Sequence, residues 1–183
     1  METPRLVLDT NCLIDLEERR PDAVYLDRLV AAYGQGHVLL AVGSISASEN
    51  QPGAQPAQNY LVLLDRLTRI GLADVVRLSP LATWNVGFWD HMLWSSEQLD
   101  KEAEAIRGAL FPAESPGPSE ALADDRKWRN RHCDAMLAWC CIHHGWLELV
   151  TRDDNFHRRR AELAALGLRA VMSPRQAAER YAP

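Results

Sequence analysis

The sequence predicts an α/β protein built on a central parallel sheet, and three observations carry that expectation. Short apolar runs without polar alternation, Leu6 to Leu8, His37 to Val42 and Leu147 to Val150 among them, suit strands covered on both faces and are too short for amphipathic helices. Stretches with helical spacing lie between them, and several close on a glycine, at Gly34, Gly71 and Gly145. A chain of 183 residues, 47% of them hydrophobic, is the size of one domain and can fill a sizeable core.

The chain opens with Arg5 to Leu16, RLVLDTNCLIDL. Leu6, Val7 and Leu8 form the first strand, and Asp9 stands where it ends. Leu13, Ile14 and Leu16 have helical spacing with Asn11 as a competent N-cap, so the segment reads as strand, sharp turn, helix. In open parallel sheets this carboxyl edge is where ligands bind. A helical pattern resumes from Pro21 to Tyr33, and His37 to Val42 is the second strand. Ser46 and Glu49 then have the S-x-x-E spacing of a capping box, which puts Glu49 in the first turn after a strand and gives it a complete structural explanation. Pro52 and Pro56 make the next helix irregular at its start and leave Gln58 to Ile70 as the helix proper. Val75, Val76 and Leu78 suggest a third strand.

From about residue 80 to 125 the pattern changes. Trp84, Phe88, Trp89 and Trp94 crowd into one segment ahead of an acidic helix, Glu97 to Ala109, in which Glu97 and Lys101 are i,i+4 partners. Pro112 to Ser119 is rich in proline, serine and glycine and reads as a flexible loop. The region reads as a mainly helical insertion in a single domain spanning 1–183. Its tryptophans could stack on unpaired bases, but packing in a lid or an oligomer contact such as a homodimer is favoured.

Arg126 to His132, RKWRNRH, is a basic run, and the helix that follows carries Met136, Leu137, Trp139, Cys140 and Ile142 on its apolar face and stops at His143-His144-Gly145. The two histidines suit the negative end of the helix dipole, and Asp134 in the first turn suits the positive end. Leu147 to Val150 is the next strand. Thr151 and Asp154 have capping-box-like spacing, which leaves Asp153 without a structural job. A short strand, Leu168 to Met172, and a terminal helix from Pro174 complete the chain.

Asp9, Glu49 and Asp153 each follow a strand by a few residues, and Asp134 opens the helix that feeds the strand before Asp153. A doubly wound sheet brings all four to one edge. Carboxylates crowded together repel unless a divalent cation sits among them, and oxygen-only ligation suits Mg²⁺ or Mn²⁺. Such a site is suited to phosphodiester hydrolysis. Arg129, Arg131 and Arg158 to Arg160 are the phosphate contacts this chemistry would need nearby.

The segments LVLDTNCLIDL and DAMLAWCCIHHGWLELVTRDDNF, with the Glu49 stretch more loosely, resemble the PIN-domain family of metal-dependent ribonucleases, which includes toxins of bacterial toxin–antitoxin pairs. The resemblance covers about half the chain, nearly end to end. It implies a three-layer α/β/α sandwich, a Mg²⁺ or Mn²⁺ site formed by Asp9, Glu49, Asp134 and Asp153, a first turn shaped by Thr10 and Asn11, and support of Asp153 by Thr151. By the same resemblance the substrate is RNA, with Asn11, Arg129 and Arg131 as substrate-binding residues, and an antitoxin-like protein is the expected partner of a toxin member. The long insertion is unlike the compact toxins. The other reading is a non-catalytic PIN-like module that holds RNA or a protein.

The remaining totals mainly exclude. A formal charge of -5 gives no overall electrostatic footprint for nucleic acid, although an acidic site can hide a basic rim. Cys12, Cys133, Cys140 and Cys141 lack metal-ligand spacing and read as reduced core thiols. No apolar run approaches the ~20 residues that span a bilayer and no charged apolar leader opens the chain, so a cytoplasmic protein without membrane contact is expected. A phosphatase with an aspartyl nucleophile would need a second acid two residues after Asp9, where Asn11 stands. A receiver domain would need a lysine after a late strand, and neither Lys101 nor Lys127 is there.

Overall fold

The computed structural model describes residues 2–48, 56–83, 86, 88–113 and 126–182. Five strands, β1 (Arg5–Leu8), β2 (Leu39–Gly43), β3 (Val76–Leu78), β4 (Glu148–Val150) and β5 (Ala170–Met172), form one all-parallel sheet in the order β3-β2-β1-β4-β5. The chain steps outward from β1 to β3, then returns to the other side of β1 and steps outward again. Leu8 pairs in register with Val42 on one side and Val150 on the other, so β1 is central, which is why Leu6, Val7 and Leu8 are all buried. The reversal of direction falls between β1 and β4, and the carboxyl ends of these two strands flank the crevice where doubly wound sheets bind ligands.

Strand alternation divides the core in two. Leu6, Leu8, Leu40, Val42 and Val150 join one apolar cluster with Leu13 of α1 (Thr10–Glu18), Leu26 and Leu29 of α2 (Ala23–Gly34), Leu63 and Leu67 of α3 (Pro56–Arg69) and Ala177 of α8 (Pro174–Tyr181). Val7, Ala41 and Leu149 join the other, with Ile106 of α4 (Glu97–Leu110), Leu137 and Trp139 of α5 (Arg126–His143), Phe156 of α6 (Asp154–Arg158) and Leu163 of α7 (Arg160–Ala165). The same glycine that ends β2 lets α5 approach: a Cβ on Gly43 would stand 2.9 Å from Leu137 Cδ1. All four cysteines are buried and free, and no helix among the described residues is long and apolar enough to cross a membrane.

Several local expectations change. Helix α5 begins at Arg126, so the basic run is helical and Asp134 lies in mid-helix, not in a first turn. Arginine and lysine are good helix formers, and Trp128 buries its ring at the spacing that continues through Ala135 to Trp139, which extends the apolar face N-terminally. The cap of α1 is Asp9, not Asn11, and the cap of α6 is Asp153, not Thr151. Ser46 lies in a 3₁₀ turn, Ser44–Ala47. Glu49 and residues 114–119 of the proline-rich loop are outside the described residues. Of the aromatic crowd, Phe88 is buried in the first cluster and Trp94 is 78% exposed, while Trp84 is outside the described residues. The Glu97–Lys101 pair forms at 2.6 Å, and Gly145, at φ 70°, takes the left-handed turn after α5.

Candidate functional site

Two turns, one after β1 and one after β4, are tied together at the sheet reversal. The Asp9 amide donates to Val150 O at 3.0 Å, carrying the β1–β4 ladder one residue past the strands. Asp9 Oδ1 accepts from the Thr10 amide at 2.6 Å, and Oδ2 accepts from Asn11 Nδ2 and from the Thr151 hydroxyl. Thr151 Oγ1 in turn accepts from Asn11 Nδ2 at 3.0 Å and from the Asp153 amide at 2.9 Å. One hydroxyl thus uses its proton on Asp9 and both lone pairs on the two turns, which satisfies it completely. Asn11 Oδ1 accepts from the Arg152 amide at 3.1 Å, so both ends of that amide side chain brace the network.

The electrostatics follow from burial. Asp9 is only 3% exposed, and its carboxyl is pushed up from 3.8 to about 6, chiefly because burial penalises the charged form, with the nearby charge of Asp153 adding to the effect. The bonds from Thr151, Thr10 and Asn11 pull the other way without cancelling it. Asp153 Oδ1 accepts from the Asn155 amide at 2.6 Å, and Oδ2 has no hydrogen bond among the described residues. Two carboxylates, one held in the core and the other beside it, therefore keep uncommitted oxygen lone pairs. That donor set fits a hard divalent cation. Cys12 adds no soft ligand: burial holds its thiol well above the ordinary range, and Sγ donates to Val150 O at 3.3 Å.

The expected carboxylates are brought together in part. Asp9 and Asp153 share the network described above. Asp134 is half-buried on α5, one turn before Leu137, which packs at the end of β2. Among the described residues no three Asp, Glu, His or Cys side chains converge closely enough to hold a metal ion. Arg129 and Arg131 are half-buried on α5, and the Arg131 guanidinium carbon lies 5.4 Å from the centre of the Phe111 ring.

One residue pair at the site was missed in the sequence. Asp15 of α1 is fully buried and pairs with the Arg152 guanidinium, so Arg152 reaches back across the site while its amide holds Asn11. A lone acid in the apolar run Cys12 to Leu16 was the signal available for it.

Comparison of the chain with family models, with curated proteins and with solved structures found no match.

Proposed function

We propose that the chain is a Mg²⁺- or Mn²⁺-dependent endoribonuclease of the PIN-like kind, with a three-layer α/β/α arrangement and the region around α4 as an insertion in it. The observation that supports this most is the pairing of Asp9 and Asp153, carboxylates from the ends of two neighbouring parallel strands, through Thr151 at the reversal of the sheet. Asp9 and Asp153 would hold the cation with Asp134 and Glu49 as further ligands. A bound cation of this type polarises a phosphoryl oxygen and lowers the pKa of the attacking water.

The chain's own residues set the stage for that chemistry. Thr151 and Asn11 hold the Asp9 carboxylate in one orientation, and the buried turn around it keeps bulk water from competing for its oxygens. Arg129 and Arg131, on the helix that carries Asp134, are the phosphate contacts of this reading, and RNA is the substrate. An antitoxin-like partner, a homodimer and a cytoplasmic setting belong to the same proposal.

The second reading is a non-catalytic PIN-like module that holds RNA or a protein. A mixed pool of single-stranded RNA incubated with Mn²⁺, with Mg²⁺ or with EDTA separates the two. Internal cleavage with either metal and none with EDTA supports the nuclease. Retention of RNA without cleavage in any condition supports the module.

A further inference from the structure

One arginine grips two positions of α1 at once. Asn11 and Asp15 stand four residues apart on that helix and share a face, and Arg152, the residue after Thr151, meets both. Its backbone amide donates to Asn11 Oδ1 at 3.1 Å, and its Nε lies 2.5 Å from Asp15 Oδ2. Asp15 is fully buried; burial pushes its carboxyl up, and the Arg152 guanidinium draws it back without cancelling the shift. Arg20 is the other cation paired with Asp15 among the described residues, 3.9 Å from Oδ1, and it sits closer to Glu18, at 2.6 Å.

A carboxylate sunk in the core adds little net stability even when paired, because desolvation of both charges offsets their attraction. Its consequence here is geometric. An asparagine side chain can turn either its oxygen or its NH2 group to a given partner, and the two ends have nearly the same shape. Asp9 Oδ2 needs the NH2 end, since a carbonyl oxygen facing a carboxylate would repel it. Thr151 Oγ1, whose own proton is on Asp9, needs the same end and lies 3.0 Å from Nδ2. The Arg152 amide decides which end faces them, because an N–H can bond only the oxygen. The Cys12 thiol also lies 3.4 Å from Asn11 Oδ1, but its single proton is shared with Val150 O at 3.3 Å, which leaves the amide as the committed donor.

We propose that Asp15 is a positioning residue for the carboxylate site: by holding the Arg152 side chain it keeps the Arg152 amide on Asn11, and Asn11 then presents the Asp9 carboxylate to a divalent cation in one orientation. The inference rests on the cation reading of Asp9 and Asp153. Asp15, Arg152, Asn11 and Asp9 act in series, and each touches the next.

The test compares the natural chain with Asp15→Asn, Arg152→Gln and Arg20→Gln in two measurements. Asp15→Asn removes the buried charge and leaves the Arg152 side chain, 36% exposed, free to turn to water, so it is the variant that disturbs folding least. Arg152→Gln breaks the same contact from the other side. The first measurement, in EDTA, is hydrogen exchange of single backbone amides. Exchange at the amide of residue 152 should speed up roughly tenfold in Asp15→Asn and in Arg152→Gln, as one hydrogen bond is loosened. In Asp15→Asn the neighbouring Thr151 amide, which donates to Met172 O at 2.9 Å, should keep its rate. The second measurement is the affinity of the folded protein for Mn²⁺, read from the paramagnetic resonance of the free ion, which should fall roughly tenfold in both variants. Adding either change to Asn11→Ala should weaken Mn²⁺ binding no further, the non-additivity expected of residues in series. Arg20→Gln changes the charge near Asp15 without touching Arg152 and should match the natural chain throughout. Equal acceleration of the Arg152 and Thr151 amides would overturn the proposal by making Asp15 a residue of overall stability. An unchanged Mn²⁺ affinity, or an equal loss in Arg20→Gln, would overturn it as well. Faster exchange at Arg152 in a protein whose natural form neither binds Mn²⁺ nor cleaves RNA would sink the cation reading and leave the grip on Asn11 standing. Mn²⁺-dependent cleavage with exchange and affinity indifferent to Asp15 would do the reverse.

Discussion

The Thr151 hydroxyl donates to Asp9 Oδ2 across 142 positions of sequence, and this bond joins the turn after β1 to the turn after β4. Because the same oxygen accepts the Asp153 amide, the bond also fixes the distance between the two carboxylate-bearing turns. Thr151→Val keeps the shape of the side chain and removes the bond. It should cost about 1.5–3 kcal/mol of stability at pH 7 in urea unfolding, the range for a buried hydrogen bond to a charged group, while Thr151→Ser should cost far less. A loss in Thr151→Ser as large as or larger than that in Thr151→Val would contradict this, by showing that the methyl group matters at least as much as the hydroxyl.

Asp9 makes the metal-free protein less stable as pH rises. Its carboxyl titrates at about 6 in the folded chain against 3.8 ordinarily, so between those values the folded state binds a proton that the unfolded state has released. Stability is then highest near pH 4 and falls as pH climbs through 6, by up to about 3 kcal/mol for this one group. Asp15 is shifted in the same direction, chiefly by burial, so the informative quantity is the difference between the natural chain and Asp9→Asn. Melting temperatures from pH 4 to 7 should show a smaller fall in the variant, and saturating Mn²⁺ should remove the contribution of Asp9 in the natural chain by binding the deprotonated form. Parallel curves for the two proteins would mean that Asp9 titrates at its ordinary pKa.

The strands were legible because Leu6 to Leu8 or Leu147 to Val150 have no other way to bury every side chain, and the parallel class follows from the helical stretches between them. The places of Asp9 and Asp153 were legible for the same reason, since Asp9 follows β1 directly and Asp153 comes shortly after β4. The caps were not. Asp9 and Asn11 are both competent N-caps, and the choice is made by the ladder bond from the Asp9 amide to Val150, a tertiary contact. Thr151 has the local spacing of a cap, but its hydroxyl is drawn to Asp9, so Asp153 takes the capping position instead. Helix α5 was started too late because only Trp128 marks its first two turns as buried, and an isolated aromatic in a basic run gives no period.

Gly43 is where packing and site meet. A methyl group there would stand 2.9 Å from Leu137 Cδ1 and 3.3 Å from Ile45 Cγ2, so Gly43→Ala makes the tip of the Leu137 side chain give way at the end of β2. Overpacking of this kind costs about 1–3 kcal/mol, and Leu137 lies one turn along α5 from Asp134. Cleavage should fall in Gly43→Ala and recover in part when Leu137→Ala is added, because the double variant restores the space. No recovery in either stability or cleavage would place the close approach elsewhere.

The central claim, a cation held between Asp9 and Asp153, is tested most directly by the melting temperature of the natural chain and of Asp153→Asn with and without Mn²⁺, alongside cleavage of single-stranded RNA. Asparagine caps a helix about as well as aspartate, so the cap of α6 survives and the metal-free variant should melt within about 0.5 kcal/mol of the natural chain or above it, since one repelling charge is gone. The rise in melting temperature that Mn²⁺ gives the natural chain should shrink in the variant, and cleavage should drop by orders of magnitude. If Mn²⁺ stabilises both proteins equally and the variant still cleaves RNA, Asp153 is a cap and nothing more.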